Sequence, residues 1–236
     1  MRPPMVIGFD VETSDWDDNT SFARQEGHFK TGFPCSENRT SAFGHVCAIG
    51  YAVFRRKDNE SNICLAETPV EVPIVLTENE SIEKKAWSVH GITSGDCENG
   101  QRFEVVMQPL LALLRQGAVI MAHNLAHEAL VLCREAQKQS VLSKGDASML
   151  MRSLYNGHCT SILAGTRNNG LFRNLLDEFR ICFGDGAGAS LRDHCPGNDA
   201  AKSARIFLHH NDAVVIDATL VSEPVDEPCL KKPCLG

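Results

Sequence analysis

The sequence lacks an apolar run near the ~18 residues that a membrane-spanning helix needs, which argues against an integral membrane protein. We also expect no signal peptide, because the first apolar, strand-like segment starts within a few residues of Met1. No two of its ten cysteines have the C-x-x-C spacing. We therefore expect an intracellular protein with reduced thiols, several of them in the core. A zinc site built from cysteines and histidines far apart in the sequence is an open alternative.

Positive charge is also scarce, since 23 lysines and arginines stand against 30 aspartates and glutamates, and the formal net charge is −7. A protein that coats long nucleic acids usually has a basic face, and no basic cluster is visible in this sequence. This balance argues against extensive tracking of a phosphate backbone. It leaves room for an enzyme that holds only a few terminal nucleotides around metal ions.

The 236 residues suffice for one domain with a sizeable core, and 43% of them are apolar. Strand-like segments come first and then alternate with helical ones, which predicts an α/β domain with a mixed sheet. We expect this domain to span residues 1–223, with an insertion over about 15–44 and a Pro-rich tail over 224–236. The predicted strands are 6–13, 45–54, an extended segment over 63–76 that prolines interrupt, 118–122 and 158–164. The predicted helices are 81–87, 103–115, 125–139, 170–179 and 212–222.

Two carboxylates occupy the end of the first predicted strand, VIGFDVET. Asp10 and Glu12 lie two positions apart in this β-prone segment, so their side chains point to the same face. Like charges about 7 Å apart at the end of a core strand repel each other and lose hydration. A divalent cation with hard oxygen ligands would compensate for both costs. The alternative is that the strand ends at Phe9 and that both acids lie in a loop.

Two further acids lie in predicted helices. Glu128 lies one turn beyond Asn124, which is well suited to begin the helix after the 118–122 strand. The alternative for Glu128 is an exposed first-turn residue that favours the helix dipole. Asp217 interrupts the apolar stripe of the last predicted helix, and a cation partner is expected because an unpaired buried charge is costly.

These acids belong to segments that resemble the DEDD-type 3′–5′ exonucleases, the family that includes the proofreading exonucleases of bacterial replicative polymerases. The segments are FDVET at 9–13, KKAWSVHGIT at 84–93, FEVVMQPLLALL at 103–114, VIMAHNLAHE at 119–128 and the histidine- and aspartate-bearing last helix. They follow the family's order. The resemblance implies a ribonuclease H-like fold and phosphodiester hydrolysis with two metal ions, Mg²⁺ or Mn²⁺.

The resemblance also implies roles for individual residues. The metal ligands would be Asp10 at both ions, Glu12 and Asp217 on the nucleophile side, and Glu128 at the second ion, where the family usually has Asp. The expected substrate contacts are Thr13, His90 and Asn124.

The general base of the family is a histidine five residues before the last aspartate, and Asp212 occupies that position relative to Asp217. His210 and His209 stand seven and eight residues before Asp217. A lengthened loop would let His210 take the proton of the attacking water, so we expect His210 as the base, with His209 in reserve. The alternative is that Asp212 caps the last helix and that no histidine reaches the metal site.

The sequence therefore predicts a metal-dependent 3′–5′ exonuclease that acts on the 3′ ends of single-stranded nucleic acid. DNA and RNA both fit, because recognition of the 2′-hydroxyl depends on details of the groove. The alternative is a catalytically degenerate exonuclease-like module that binds nucleic acid or a protein partner.

Overall fold

The computed structural model describes residues 5–14, 44–57, 63–77, 80–139, 142–167, 173–186, 193–211 and 213–217. The predicted insertion (apart from Gly44), Asp212 and the predicted tail lie outside these residues. Across the described ranges, no helix is long and apolar enough to cross a membrane.

The described residues form a seven-stranded mixed sheet. Its strands are β1 (Met5–Thr13), β2 (Val46–Arg56), β3 (Ile63–Ala66), β4 (Val70–Pro73), β5 (Val119–Ala122), β6 (His158–Cys159) and β7 (Val214–Asp217). Six strands follow the order β6-β5-β1-β2-β3-β7, and β4 pairs with β2. β2 is antiparallel to β1, β3 and β4, whereas β5 is parallel to β1, β6 to β5 and β7 to β3. The predicted mixed α/β sheet is confirmed.

Eight helices flank this sheet in the described part of the chain. They are α1 (Lys84–His90), α2 (Ser94–Glu98), α3 (Phe103–Arg115), α4 (Leu125–Gln139), α5 (Lys144–Tyr155), α6 (Thr160–Arg167), α7 (Leu175–Phe183) and α8 (Pro196–His210). The bounds of α3 and α4 agree with the sequence prediction. α8 is not among the helices predicted from the sequence. It begins with Pro196, which is tolerated there because the N–H groups of a first turn have no partner within the helix.

β1 separates two helical layers because its side chains alternate between the faces of the sheet. Ile7, Phe9 and Val11 pack in the larger core with residues of α3, α4 and α5. Val6 points the other way and packs in a second core with Ala200 and other residues of α8.

Two glycines let α8 lie directly on the sheet. A Cβ atom at Gly8 of β1 would stand 1.9 Å from the carbonyl oxygen of Ala200, and one at Gly50 of β2 would stand 2.0 Å from the carbonyl carbon of Pro196. No side chain fits at either position. The first turn of α8 is therefore held against the middle of β1 and β2, next to the end of β1 that carries Asp10.

Three sequence predictions in the second half of the chain need correction. The predicted helix over 212–222 is wrong in its described part, because Val214–Asp217 form the strand β7. The run of β-branched residues favours a strand, and β3 is its parallel partner. The strand over 158–164 shrinks to the two residues of β6, because α6 begins at Thr160. The helix over 170–179 begins at Leu175 and continues to Phe183, and residues 170–172 lie outside the described ranges.

Candidate active site

The two acids of β1 lie within a continuous strand. β1 extends to Thr13, so the alternative in which it ends at Phe9 is wrong. Asp10 pairs with Gly50 of β2, and Asp10 and Glu12 share the face of the sheet on which α8 lies. Both side chains are partly exposed. The strand thus presents two adjacent carboxylates beside the first turn of α8.

Glu128 reaches β1 from the first turn of α4. β5 pairs with β1 only along Val6–Gly8, so the next residues of β1 are open to α4 on that edge. There the Val11 N–H donates a hydrogen bond of 3.0 Å to Oε2 of Glu128. Glu128 is only 4% exposed, so the alternative of an exposed first-turn residue is wrong.

A fourth carboxylate comes from α8. Asp199 lies in the first turn of this helix and is buried. One of its carboxylate oxygens lies within 4.8 Å of a carboxylate oxygen of Glu12 and of a ring nitrogen of His194. We call Asp10, Glu12, Glu128 and Asp199 the carboxylate cluster.

His194 stands beside this cluster, in the turn before α8. Its φ of 55° lies in the left-handed region, and its backbone N–H donates a hydrogen bond of 3.0 Å to Oδ2 of Asp199. The residue is exposed, so its ring faces solvent while remaining close to Glu12 and Asp199. The arrangement places an imidazole beside the carboxylates of Glu12 and Asp199.

Lys202, one turn further along α8, is the cation of this site. Its side chain is fully buried, and its ammonium donates to Oδ1 of Asp199 at 2.9 Å and to the more exposed Asp193. Burial lowers the pKa of Lys202, but the two ion pairs outweigh burial, and the net pKa is raised. Lys202 therefore stays charged and fixes the Asp199 carboxylate.

Negative charge nevertheless exceeds positive charge at the site. Loss of hydration is the main cause that raises the pKa of every member of the carboxylate cluster. Repulsion adds to burial, because Glu12 and Asp199 raise the pKa of Asp10, and Asp10 raises the pKa of Glu128. A fifth acid contributes: Glu71 of β4, opposite Gly50 in the ladder, accepts a hydrogen bond from the Cys195 thiol and also raises the pKa of Asp10.

The structure corrects the predicted position of Asp217. In the strand ladders Asp217 pairs with Ala66, Ala66 with Phe54 and Phe54 with Val6. Asp217 is therefore separated from Asp10 in two directions. Across the sheet the separation is three strand spacings of about 4.8 Å each, and along β1 it is four residues, from Val6 to Asp10, of about 3.3 Å each. The backbone of Asp217 is thus roughly 19 Å away, too far for a shared metal site.

The structure corrects the predicted histidine as well. His209 and His210 end α8, and His210 is eleven residues, or about 16 Å of helix, beyond Asp199. His194 stands beside Asp199 instead, and the two are five residues apart, which is the spacing that the family resemblance requires. The sequence HCPGND at 194–199 contains this histidine and aspartate. The Gly- and Asp-rich segment before it is typical of a loop, so the start of a helix at Pro196 was not predicted.

The three predicted substrate residues lie around the cluster. Thr13 ends β1, and Asn124 follows β5, which runs parallel to β1, so both lie at the same end of the sheet. His90 ends α1, and its ring accepts the Ile92 N–H at Nδ1 (3.0 Å) and donates from Nε2 to the Thr13 carbonyl (3.3 Å). Burial lowers the pKa of His90 to about 4, so the ring is neutral and carries its hydrogen on Nε2.

The carboxylate cluster fits hard divalent cations. Carboxylate oxygens are the ligands that Mg²⁺ and Mn²⁺ prefer. Cations would offset the loss of hydration that raises all four pKa values, and the repulsion that adds to it at Asp10, Glu12 and Glu128. The ammonium of Lys202 offsets only part of the negative charge of these acids.

One family model covers most of the chain. The family model RNase_T, described as "Exonuclease", matches residues 41–210. This range contains Glu128, His194 and Asp199, begins after Asp10 and Glu12 and ends before Asp217. Among curated proteins, no sequence matches the chain.

Solved structures share the fold at low sequence identity. A structure titled "crystal structure of full-length 3'-exonuclease" matches with a TM-score of 0.59 and 14% identity, over 89% of this chain and 61% of that one. The "nuclease domain of 3'hExo, a DEDDh family member, bound to rAMP" matches with a TM-score of 0.57 and 12% identity, over 89% of this chain and 92% of that domain. A structure titled "3'-end specific recognition of histone mRNA stem-loop by 3'-exonuclease" matches with a TM-score of 0.58 and 13% identity, over 89% of this chain and 83% of that one. The predicted ribonuclease H-like fold is confirmed.

Proposed function

The chain belongs to the RNase_T exonuclease family, as the predicted DEDD-type resemblance required, and on this premise we propose that it is a metal-dependent 3′–5′ exonuclease of single-stranded DNA or RNA. The observation that carries the proposal is the convergence of four carboxylates and a histidine from β1, α4 and the start of α8. The 3′-exonucleases among the structures of similar fold support the choice of the 3′ end.

The carboxylate cluster would hold two Mg²⁺ or Mn²⁺ ions. When bound, such ions lower the pKa of the attacking water and offset the charge that develops on the leaving oxygen. Asp10 and Glu12 offer oxygens from a rigid strand inside the sheet, and Asp199 offers one from a helix whose approach two glycines permit. Rigid support of this kind keeps ligands within the narrow tolerance that catalysis needs.

His194 would take the proton of the attacking water at a ring nitrogen. Histidine suits proton exchange near neutral pH, and this ring lies within 4.8 Å of carboxylate oxygens of Glu12 and Asp199 while remaining exposed to solvent. The hydrogen bond from His194 N–H to Asp199 ties the histidine to the ligand. Lys202 acts as a positioning residue, because it holds the other oxygen of Asp199.

Thr13 and Asn124 would contact the terminal nucleotide from the ends of β1 and β5. His90 has a different role, because both of its ring nitrogens are engaged within the protein. It would shape the wall of the groove and hold the end of β1 in place.

One observation favours a second candidate, the degenerate module that binds without cleavage. Oε2 of Glu128 accepts a hydrogen bond from the Val11 N–H, which fixes the carboxylate of this longer side chain and leaves Oε1 as the oxygen better able to reach an ion. If that oxygen does not reach the second ion, substrate would bind while the rate of cleavage stays low.

The decisive experiment compares matched aspartate variants. Wild type, Asp199→Asn and Asp217→Asn are incubated with end-labelled single-stranded DNA and RNA, in EDTA and in Mg²⁺ or Mn²⁺. We expect metal-dependent cleavage by wild type and Asp217→Asn, and a loss of about 100-fold or more in Asp199→Asn. Equal loss in both variants would contradict the assignment of Asp199. Binding without cleavage by wild type would establish the degenerate module.

The direction of cleavage needs its own substrates. A 5′-labelled strand should shorten in single-nucleotide steps, and a circular single strand should remain intact. Cleavage of the circle would show an endonuclease and refute the 3′–5′ assignment.

A further inference from the structure

The two histidines that the active site does not use belong to a second cluster. Glu178 and Cys182 lie four residues apart on one face of α7, and His209 and His210 form the end of α8, which packs against α7. Ligand atoms of Cys182, His209 and His210 all lie within 4.8 Å of one another. We propose that Glu178, Cys182, His209 and His210 bind a zinc ion that joins the ends of α7 and α8.

The distances among three of these residues match the edges of a zinc tetrahedron. The Cys182 Sγ lies 3.9 Å from Nε2 of His210 and 3.8 Å from Oε1 of Glu178, and the latter two atoms are 3.3 Å apart. Zn–S bonds of about 2.3 Å and Zn–N or Zn–O bonds of about 2.0–2.1 Å give tetrahedral edges of about 3.5 Å to sulfur and about 3.3 Å between nitrogen and oxygen. An ion fits between these three atoms with shifts of a few tenths of an ångström. A ring nitrogen of His209 lies within 4.8 Å of the Cys182 Sγ and of a ring nitrogen of His210, and the His209 ring would turn toward the ion to provide the fourth ligand.

The ligand types separate this site from the carboxylate cluster. A thiolate, two imidazoles and one carboxylate suit zinc, whereas four carboxylates suit Mg²⁺ or Mn²⁺. The outer shell is also present: Arg173 donates to Oε2 of Glu178 at 3.3 Å and leaves Oε1 directed at Cys182 and His210.

The position of the cluster implies a structural role. Glu178 is 3% exposed, and it lies beside the half-buried Cys182 and His210, where water solvates charges poorly. A bound cation would stabilise these groups and fix the end of α8 opposite to the one that carries Asp199 and Lys202. Zinc would therefore raise the stability of the folded protein without taking part in hydrolysis.

The test measures metal content and coordination in the full chain. Protein purified without chelators should contain close to one zinc ion per chain, and substitution by Co²⁺ should give the intense visible bands of a four-coordinate thiolate site. Cys182→Ser and His210→Ala should lose both signals. Cys159→Ser, which changes another partly exposed cysteine, and Asp10→Asn, which changes the carboxylate cluster, should keep them.

A second measurement works even where a variant fails to fold. In wild type, zinc should protect Cys182 from iodoacetamide, and a zinc chelator should expose it, while alkylation of Cys159 should not respond to zinc. Absence of zinc, zinc content unchanged in Cys182→Ser, or loss of zinc in Asp10→Asn would each overturn the proposal. If zinc does not change the melting temperature, the contact of His210 with Glu178 is an ion pair only and the proposal is wrong.

Discussion

Replacement of the buried lysine tests the electrostatic account of the active site most directly. Lys202→Met keeps a long, unbranched side chain in a fully buried position and removes the ion pair with Asp199. Loss of one partner from a buried pair costs about 3–5 kcal/mol, because the other charge is left uncompensated. The Asp193 pair adds little, since Asp193 has a side-chain exposure of 43%.

The expected signal is a large drop in melting temperature that metal ions reverse. For a chain of this length about 1 kcal/mol corresponds to about 2–4 °C, so metal-free Lys202→Met should melt about 6–20 °C below wild type at pH 8. The difference in melting temperature should narrow as the pH falls, because burial raises the pKa of Asp199 and a protonated Asp199 needs no counterion. It should also narrow in Mg²⁺, which supplies the missing charge.

Two further proteins complete this experiment, with differential scanning calorimetry as the assay. Lys84→Met changes an exposed lysine of α1 and should shift the free energy of unfolding by less than about 0.5 kcal/mol. Asp199→Asn/Lys202→Met removes both charges and should recover much of the lost stability. The reasoning is refuted if metal-free Lys202→Met has the same melting temperature as metal-free wild type, or if Mg²⁺ raises the melting temperatures of Lys202→Met and wild type equally.

Three other predictions concern the base, the glycine contact and the pH dependence. His194→Ala should reduce the rate of cleavage about 10²–10⁴-fold and remove the limb of the pH–rate profile that reports a histidine. His210→Ala should leave the rate nearly unchanged. Equal effects of the two substitutions would contradict the assignment of His194 as the base. Gly8→Ala should lower the free energy of unfolding in urea by about 1–3 kcal/mol or more, because its Cβ would lie 1.9 Å from the carbonyl oxygen of Ala200. The control Gly95→Ala should be tolerated, because its Cβ would approach Thr93 only to 3.7 Å. The metal-free protein should melt at a higher temperature at pH 5 than at pH 8. The pKa values of the carboxylate cluster are raised, so the folded state binds more protons than the unfolded state in this pH range. A melting temperature in EDTA that does not change with pH, and that equals the value in Mg²⁺, would refute this prediction.

Local sequence determined the parts of the site that lie on single elements. The alternation within residues 6–13 already places Asp10 and Glu12 on one face of a strand. The strand-to-helix transition at 118–128 likewise places Glu128 in a first turn. The order of the segments was enough to indicate the exonuclease family and the α/β fold, because these signals depend on residues close together in the chain.

Only the tertiary structure decided which aspartate and which histidine join them. The sequence contains two histidine–aspartate segments near its end, 194–199 and 209–217, and the prediction rested on the second. The choice depends on contacts between distant residues: Gly8 and Gly50 admit the first turn of α8 to the face of β1, whereas pairing with β3 holds Asp217 at the far edge of the sheet. Close backbone approach and strand pairing are properties of the packed chain, so neither could be predicted from the spacing of residues.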